Sequence, residues 1–165
     1  MNRKLNRRLL KRVCIAVLCL AVAIPLAREI VRNKAYSTFL LAVEGKQQIK
    51  LTKLEFELFL NGKTRTLTIS DGSSLKFLSD SFGSQIDGSP LGLQVNTRIS
   101  FELDKTIETK MCITKDYSTI TFVVWRSYFD YEDYITISLP KKIPDPLRKA
   151  FDELWADFIL DRAEH

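Results

Sequence analysis

The sequence predicts an α+β protein. It reads as an N-terminal hydrophobic helix followed by one domain, in which an antiparallel sheet of about six strands carries a short helix after the second strand and a C-terminal amphipathic helix packed on the sheet. Three observations lead there. Apolar and polar residues alternate in six separate runs between residues 51 and 139, the period of a half-buried strand. Short polar turns separate several of these runs, among them Asn61-Gly62, Asp104-Lys105 and Lys115-Asp116, so the strands they join are antiparallel neighbours. From Asp145 onward the spacing changes to that of a helix with one apolar stripe. A chain of 165 residues with 45% apolar and 27% charged residues holds one ordinary domain and is neither disordered, nor collagen-like, nor polytopic.

The first element is the hydrophobic one. Val13 to Ala27 is fifteen residues without a charge, directly behind Arg3, Lys4, Arg7, Arg8, Lys11 and Arg12. Two readings fit: a membrane anchor over residues 9–27, with Lys11 and Arg12 snorkelling, or a secretory signal peptide cut near Ala23 in Ala21-Val22-Ala23. The six leading basic residues outweigh the +2 of Arg28, Glu29, Arg32 and Lys34, which predicts a cytoplasmic N-terminus and a body outside the cytoplasm, at the cell membrane if anchored and secreted or periplasmic if cleaved. Cys112 is the one cysteine beyond the apolar segment, so no disulfide forms within the body, and no Asn-x-Ser/Thr site occurs. Together these features favour a bacterial envelope protein.

Residues 28–48 mix helical and alternating periods, and they are read as a stalk helix or linker closed by Gly45. That divides the chain into a basic start with its apolar segment (1–27), the stalk (28–48) and an extracytoplasmic domain (49–165). Within the domain, alternation over 51–60 and 63–70 about Asn61-Gly62 predicts a hairpin, since both turn residues need positive φ. Ser73 and Ser74 ahead of Leu75, Leu78 and Phe82, with Gly83 behind, predict a capped helix; a second hairpin at Asp71-Gly72 is the competing reading. Residues 84–96 read as a loop. Strands are expected over Ile99 to Leu103, Ile107 to Ile113, Ile120 to Trp125 and Tyr134 to Leu139. The last helix starts with Asp145 as cap and Pro146 in its first turn. Its stripe is Leu147, Phe151, Leu154, Trp155 and Phe158, with Asp152, Glu153, Asp157 and Asp161 turned outward. The layout resembles small domains of bacterial envelope proteins and lipoproteins over roughly residues 50–160, by pattern rather than by a diagnostic motif, and the resemblance carries no functional residue across.

The chemical inventory is short. His165 is the lone histidine and the last residue, which removes Ser-His-Asp and Cys-His catalysis and histidine-ligated zinc. No phosphate-binding glycine loop is present. Away from its basic start the chain has 19 basic against 20 acidic residues, so it lacks the basic stripe that a nucleic-acid binder needs. Cys112, within a strand, reads as a buried inert thiol. The densest group of carboxylates is Asp130, Glu132 and Asp133, interleaved with Tyr128 and Tyr131. Acids among rings suit contact with a sugar or a protein partner, and oxygen ligation of calcium or acid catalysis is also open to them; the plain reading is a solvated hairpin loop. Trp155, Phe151 and Phe158 read as core, with an apolar-ligand cavity as the alternative. Lys141 and Lys142 read as a solvated turn.

The function expected is therefore a membrane-tethered, non-enzymatic domain that contacts another envelope protein or a cell-wall component, through Tyr128, Asp130, Tyr131, Glu132 and Asp133. An envelope hydrolase using Asp130 or Glu132, or a small carrier of apolar ligands, are the alternatives. No cofactor, metal or nucleic acid is expected.

Overall fold

A computed structural model describes residues 3–60, 63–88, 92–102, 105–125 and 132–163. The chain runs α1 (Arg3–Val43), β1 (Leu51–Leu60), β2 (Lys63–Ile69), α2 (Gly72–Ser81), β3 (Gln85–Ile86), β4 (Leu93–Phe101), β5 (Lys105–Ile113), β6 (Thr119–Trp125), β7 (Glu132–Ser138) and α3 (Asp145–Ala163). It divides into two compact units, Met1–Ala35 and Tyr36–His165.

The first unit is helix throughout its described length. α1 contains Pro25, which lacks the N–H that would bond to the preceding turn. From Val13 to Leu26 its large apolar side chains stand exposed. The helix is long and apolar enough to cross a membrane.

The second unit is one antiparallel sheet in the order β2-β1-β4-β5-β6-β7-β3, with helices on one face. Alternation chooses that face. On β1, Leu54, Phe56 and Leu58 are buried, and on β4 so are Leu93, Val95, Thr97, Ile99 and Phe101. Registers such as Leu54 opposite Ile99 and Ile99 opposite Ile107 carry the apolar rows across the sheet. Three helices cover this face through aromatic contacts. Phe39 of α1 meets Phe101 at 6.3 Å and Phe122 at 5.4 Å between ring centroids; Phe82, at the end of α2, meets Phe122 at 6.1 Å, and Phe151 of α3 meets Phe56 at 6.1 Å. Each ring pair adds about 0.5–1.5 kcal/mol beyond its buried area.

The local chemistry of each connection explains its shape. Leu60 pairs with Lys63, so the hairpin predicted at Asn61-Gly62 forms with those two residues, themselves outside the described part, as its link. Asp71 caps α2, its carboxylate accepting from the Ser74 N–H at 2.8 Å, and the competing hairpin at Asp71-Gly72 does not form. α1 ends at Gly45 with bonds from the Gly45 N–H to Ala42 and from the Lys46 N–H to Leu41, and the positive φ of 73° at Gly45 is what that closure requires.

Three expectations need correction. The segment read as a stalk over 28–48 is divided: α1 continues to Val43, Phe39, Ala42 and Val43 are buried, and the second compact unit begins at Tyr36 rather than at 49. From Tyr36 on the helical period is a core stripe, whereas Ile30 and Val31 are exposed. The loop expected over 84–96 contains β3, a seventh strand too short to show a period, and the first residues of β4. β3 lies beside β7 at one edge while β4 lies inside the sheet, so this connection crosses strands; Gly88 sits against the Thr136 side chain and Gly92 against the Ile113 carbonyl. Finally, Trp155 and Phe158 of α3 are half-buried, and the buried stripe is Leu147, Ala150, Phe151 and Leu154.

Candidate functional site

The acidic and aromatic segment chosen from the sequence joins the last two long strands. Trp125 pairs with Glu132 and Val124 with Asp133, so residues 126–131 connect a hairpin. Tyr128, Asp130 and Tyr131 lie outside the described residues. Glu132 and Asp133 are placed by their backbone as the first residues of β7.

Elsewhere three groupings of polar side chains emerge, none of them contiguous in the sequence. The first is a charged ladder across the face of the sheet opposite the helices. Lys53 pairs with Glu55 at 2.6 Å, Arg98 with Glu55 at 3.6 Å and Arg98 with Glu108 at 2.9 Å. Glu55, Arg98 and Glu108 stand directly opposite one another on β1, β4 and β5. The hydrogen bond from Lys53 chiefly holds the Glu55 carboxyl below its usual range, and Glu108 raises the Arg98 guanidinium. Exposed pairs of this kind are screened by water and contribute little to stability. A shallow groove runs here between Glu57, Asn96, Lys110 and this ladder.

The second grouping ties α3 to the sheet. Arg65 of β2 bonds Glu153 at 3.0 Å and also Asp157. The Tyr117 hydroxyl donates to Asp152 at 2.6 Å, its ring lying 5.5 Å from Phe151. Burial, and then the bond to Asp152, push the Tyr117 phenol up to about 12. The acids expected to point into solvent from α3 thus include three that fasten the helix. A helical period gives the angle of a side chain about the axis, and it does not show which neighbouring strand reaches that angle.

The third grouping is a groove of about 320 Å³ between β2 and α3. Residues 67–71 form one wall; Pro146, Lys149, Ala150 and Glu153 form the other. Sequence reasoning passed over it, because the position of β2 at an edge of the sheet and the docking of α3 beside it are set by packing. The one available signal was weak: a strand whose turn connects it to a single neighbour.

Cys112 is buried at 5% exposure, and burial pushes its thiol up, which makes it a poor nucleophile. Lys141 and Lys142 are exposed. Among the described residues no three His, Cys, Asp or Glu side chains gather as a metal site. No family model, curated protein or solved structure matches the chain.

Proposed function

We propose that this chain is a membrane-anchored domain whose body lies outside the cytoplasm and contacts another envelope protein or a cell-wall component without catalysing a reaction. One observation carries the anchor. Val13, Ile15, Val17, Leu18, Leu20, Val22, Ile24 and Leu26 are each between 51% and 69% exposed. Removing such a side chain from water is worth about 1.5–3 kcal/mol, and lipid is the medium that supplies this around the whole circumference of a helix. The basic residues ahead of the segment set the direction, retaining the N-terminus on the cytoplasmic side. The partner-contacting role is supported by surface chemistry: among the described residues, polar clusters on the body form paired ladders and clamps, and the grooves beside them are shallow. A shallow groove suits a macromolecule better than a small molecule, which binds in concave pockets that enclose most of its surface.

The test is a topology reporter. An enzyme active only outside the cytoplasm, fused after His165, is expected to be active, and an N-terminal tag is expected to stay with the membrane fraction after carbonate washing. Activity of a cytoplasm-specific reporter would reject the orientation. Loss of the tag with release of the body would replace the anchor by a cleaved leader.

A further inference from the structure

α1 begins at Arg3, so the six basic residues ahead of the apolar segment belong to the same helix as that segment. Their spacing is helical. Arg3, Arg7 and Lys11 recur at every fourth position, and so do Lys4, Arg8 and Arg12. At about 3.6 residues per turn each set forms a row along the helix, and the two rows are neighbours that together take about half of its circumference. Leu5, Asn6, Leu9 and Leu10 fall on the other half. No Asp or Glu precedes Glu29, so no acid of this stretch neutralises the rows.

Orientation in a membrane does not require this arrangement. It depends on how many basic residues flank the apolar segment, and their disposition about the helix is immaterial to it. A one-sided array matters to a ligand that approaches from one side, and four arginines with two lysines suit phosphate. Two observations favour phosphate carried by lipid over phosphate carried by nucleic acid. The rows run without a break into the helix that is long and apolar enough to cross a bilayer, where Val13 and the large apolar residues after it are exposed. Leucines also lie opposite the charge, which is the composition of a helix resting in the membrane interface with its apolar half toward the acyl chains. A nucleic-acid backbone has no use for those leucines.

We infer that residues 3–12 form a binding face for the phosphate headgroups of anionic lipids, which gather around the N-terminal end of the anchor. A basic cluster directly beside a membrane-crossing helix attracts such lipids by charge, and here the helical rows present all six cations together. The inference rests on the reading of α1 as a membrane anchor and adds to it the class of lipid bound. It is independent of the side of the membrane on which the body lies.

The experiment reconstitutes the full chain in vesicles of phosphatidylcholine with a minor share of phosphatidylglycerol, extracts it in a mild nonionic detergent and quantifies the retained lipids by mass spectrometry. Phosphatidylglycerol is expected to be enriched at least about threefold over the starting mixture, and less so as salt is raised. A chain with Arg3→Gln, Lys4→Gln, Arg7→Gln and Arg8→Gln keeps Lys11 and Arg12 beside the segment and should retain lipid close to the starting ratio. A second variant, Lys4→Asn, Asn6→Lys, Arg7→Leu and Leu9→Arg, keeps every charge but spreads the charges around the helix, and it should lose at least about half of the enrichment. No enrichment by the parent, or undiminished enrichment by either variant, would overturn the inference. So would retention of duplex DNA by the parent at physiological salt without lipid enrichment, which would assign the face to nucleic acid. Carbonate washing of the vesicles separates the two readings: a chain that washes out rejects the anchor, whereas a chain that stays and shows no enrichment rejects the lipid-binding face alone.

Discussion

Asp71 does two jobs at once: it ends β2's exit and starts α2. Burial pushes its carboxyl up, but bonds from the Ser73 hydroxyl and the Ser74 N–H outweigh that and hold it below its ordinary value of 3.8. A carboxyl depressed in the folded state stabilises at all pH above its unfolded value, and the contribution disappears as pH falls through the lower folded value. Asp71→Ala is therefore expected to cost about 0.5–2 kcal/mol near neutrality, and the difference from the parent should begin to shrink as pH falls past 3.8 and vanish only below the lower folded value. Denaturant unfolding at a series of pH values measures it. Tyr117 has the opposite sign. Its phenol, raised from 10.0 to about 12, supports the fold fully below pH 10 and loses that support between there and about 12. An absorbance titration should show a tyrosine step near pH 12, and Tyr117→Phe should remove that step. Gly45 and Gly83 meet back to back. A Cβ on Gly45 would lie 2.7 Å from the Gly83 Cα, and both have positive φ. Gly83→Ala is expected to cost about 2 kcal/mol or more from strain and overpacking; a variant as stable as the parent would contradict this close approach.

At the scale of elements, α3 shows how burial divides an apolar stripe. Phe151 is fully buried against Phe56 and Tyr117, so Phe151→Ala should destabilise by about 3–5 kcal/mol. Trp155 is half-buried and meets Phe158 edge-on at 5.8 Å, and its indole N–H is buried without a partner in the structure. Trp155→Ala should therefore cost clearly less than Phe151→Ala, because part of the ring is already in water and its polar atom makes no bond to lose. Equal losses would mean that Trp155 packs more deeply than this. The sequence shows the period of α3 plainly, yet the period alone ranks Trp155 with Phe151. Their difference is one of burial, Phe151 being covered on all sides and Trp155 only in part. β4 and β5 illustrate the converse: Thr97 and Thr109 are polar but buried, so alternation of apolar letters understates the inward face.

For the molecule as a whole, the decisive element is α1. Its last turns supply Phe39, Ala42 and Val43 to the core, and Phe39 touches rings from three other parts of the body. A chain beginning at residue 49 would lose all of these. It is expected to be unfolded or to expose apolar surface to a dye such as ANS, whereas a chain beginning just before Ala35 should keep a cooperative transition. Phe39→Ala in the full chain should cost about 3–5 kcal/mol, a large fraction of the roughly 5–15 kcal/mol that holds a domain together. A cooperative fold from residue 49 onward would show that α1 is dispensable.

Local information carries far in this protein. Alternation, the Asn61-Gly62 turn, the Asp145-Pro146 start and the apolar segment behind six basic residues are set within a few neighbours, so they determine the α+β class, most elements and the presence of a hydrophobic segment. What depends on partners distant in the chain was decided by packing alone: the sheet order that leaves β2 at an edge, the use of the end of α1 as core, the crossing connection that holds β3, and the acids of α3 that clamp Arg65 and Tyr117. The physical reason is that a side chain's period fixes which way it points. What it then meets depends on which elements share a face, and that is settled by the joint burial of all the apolar stripes at once.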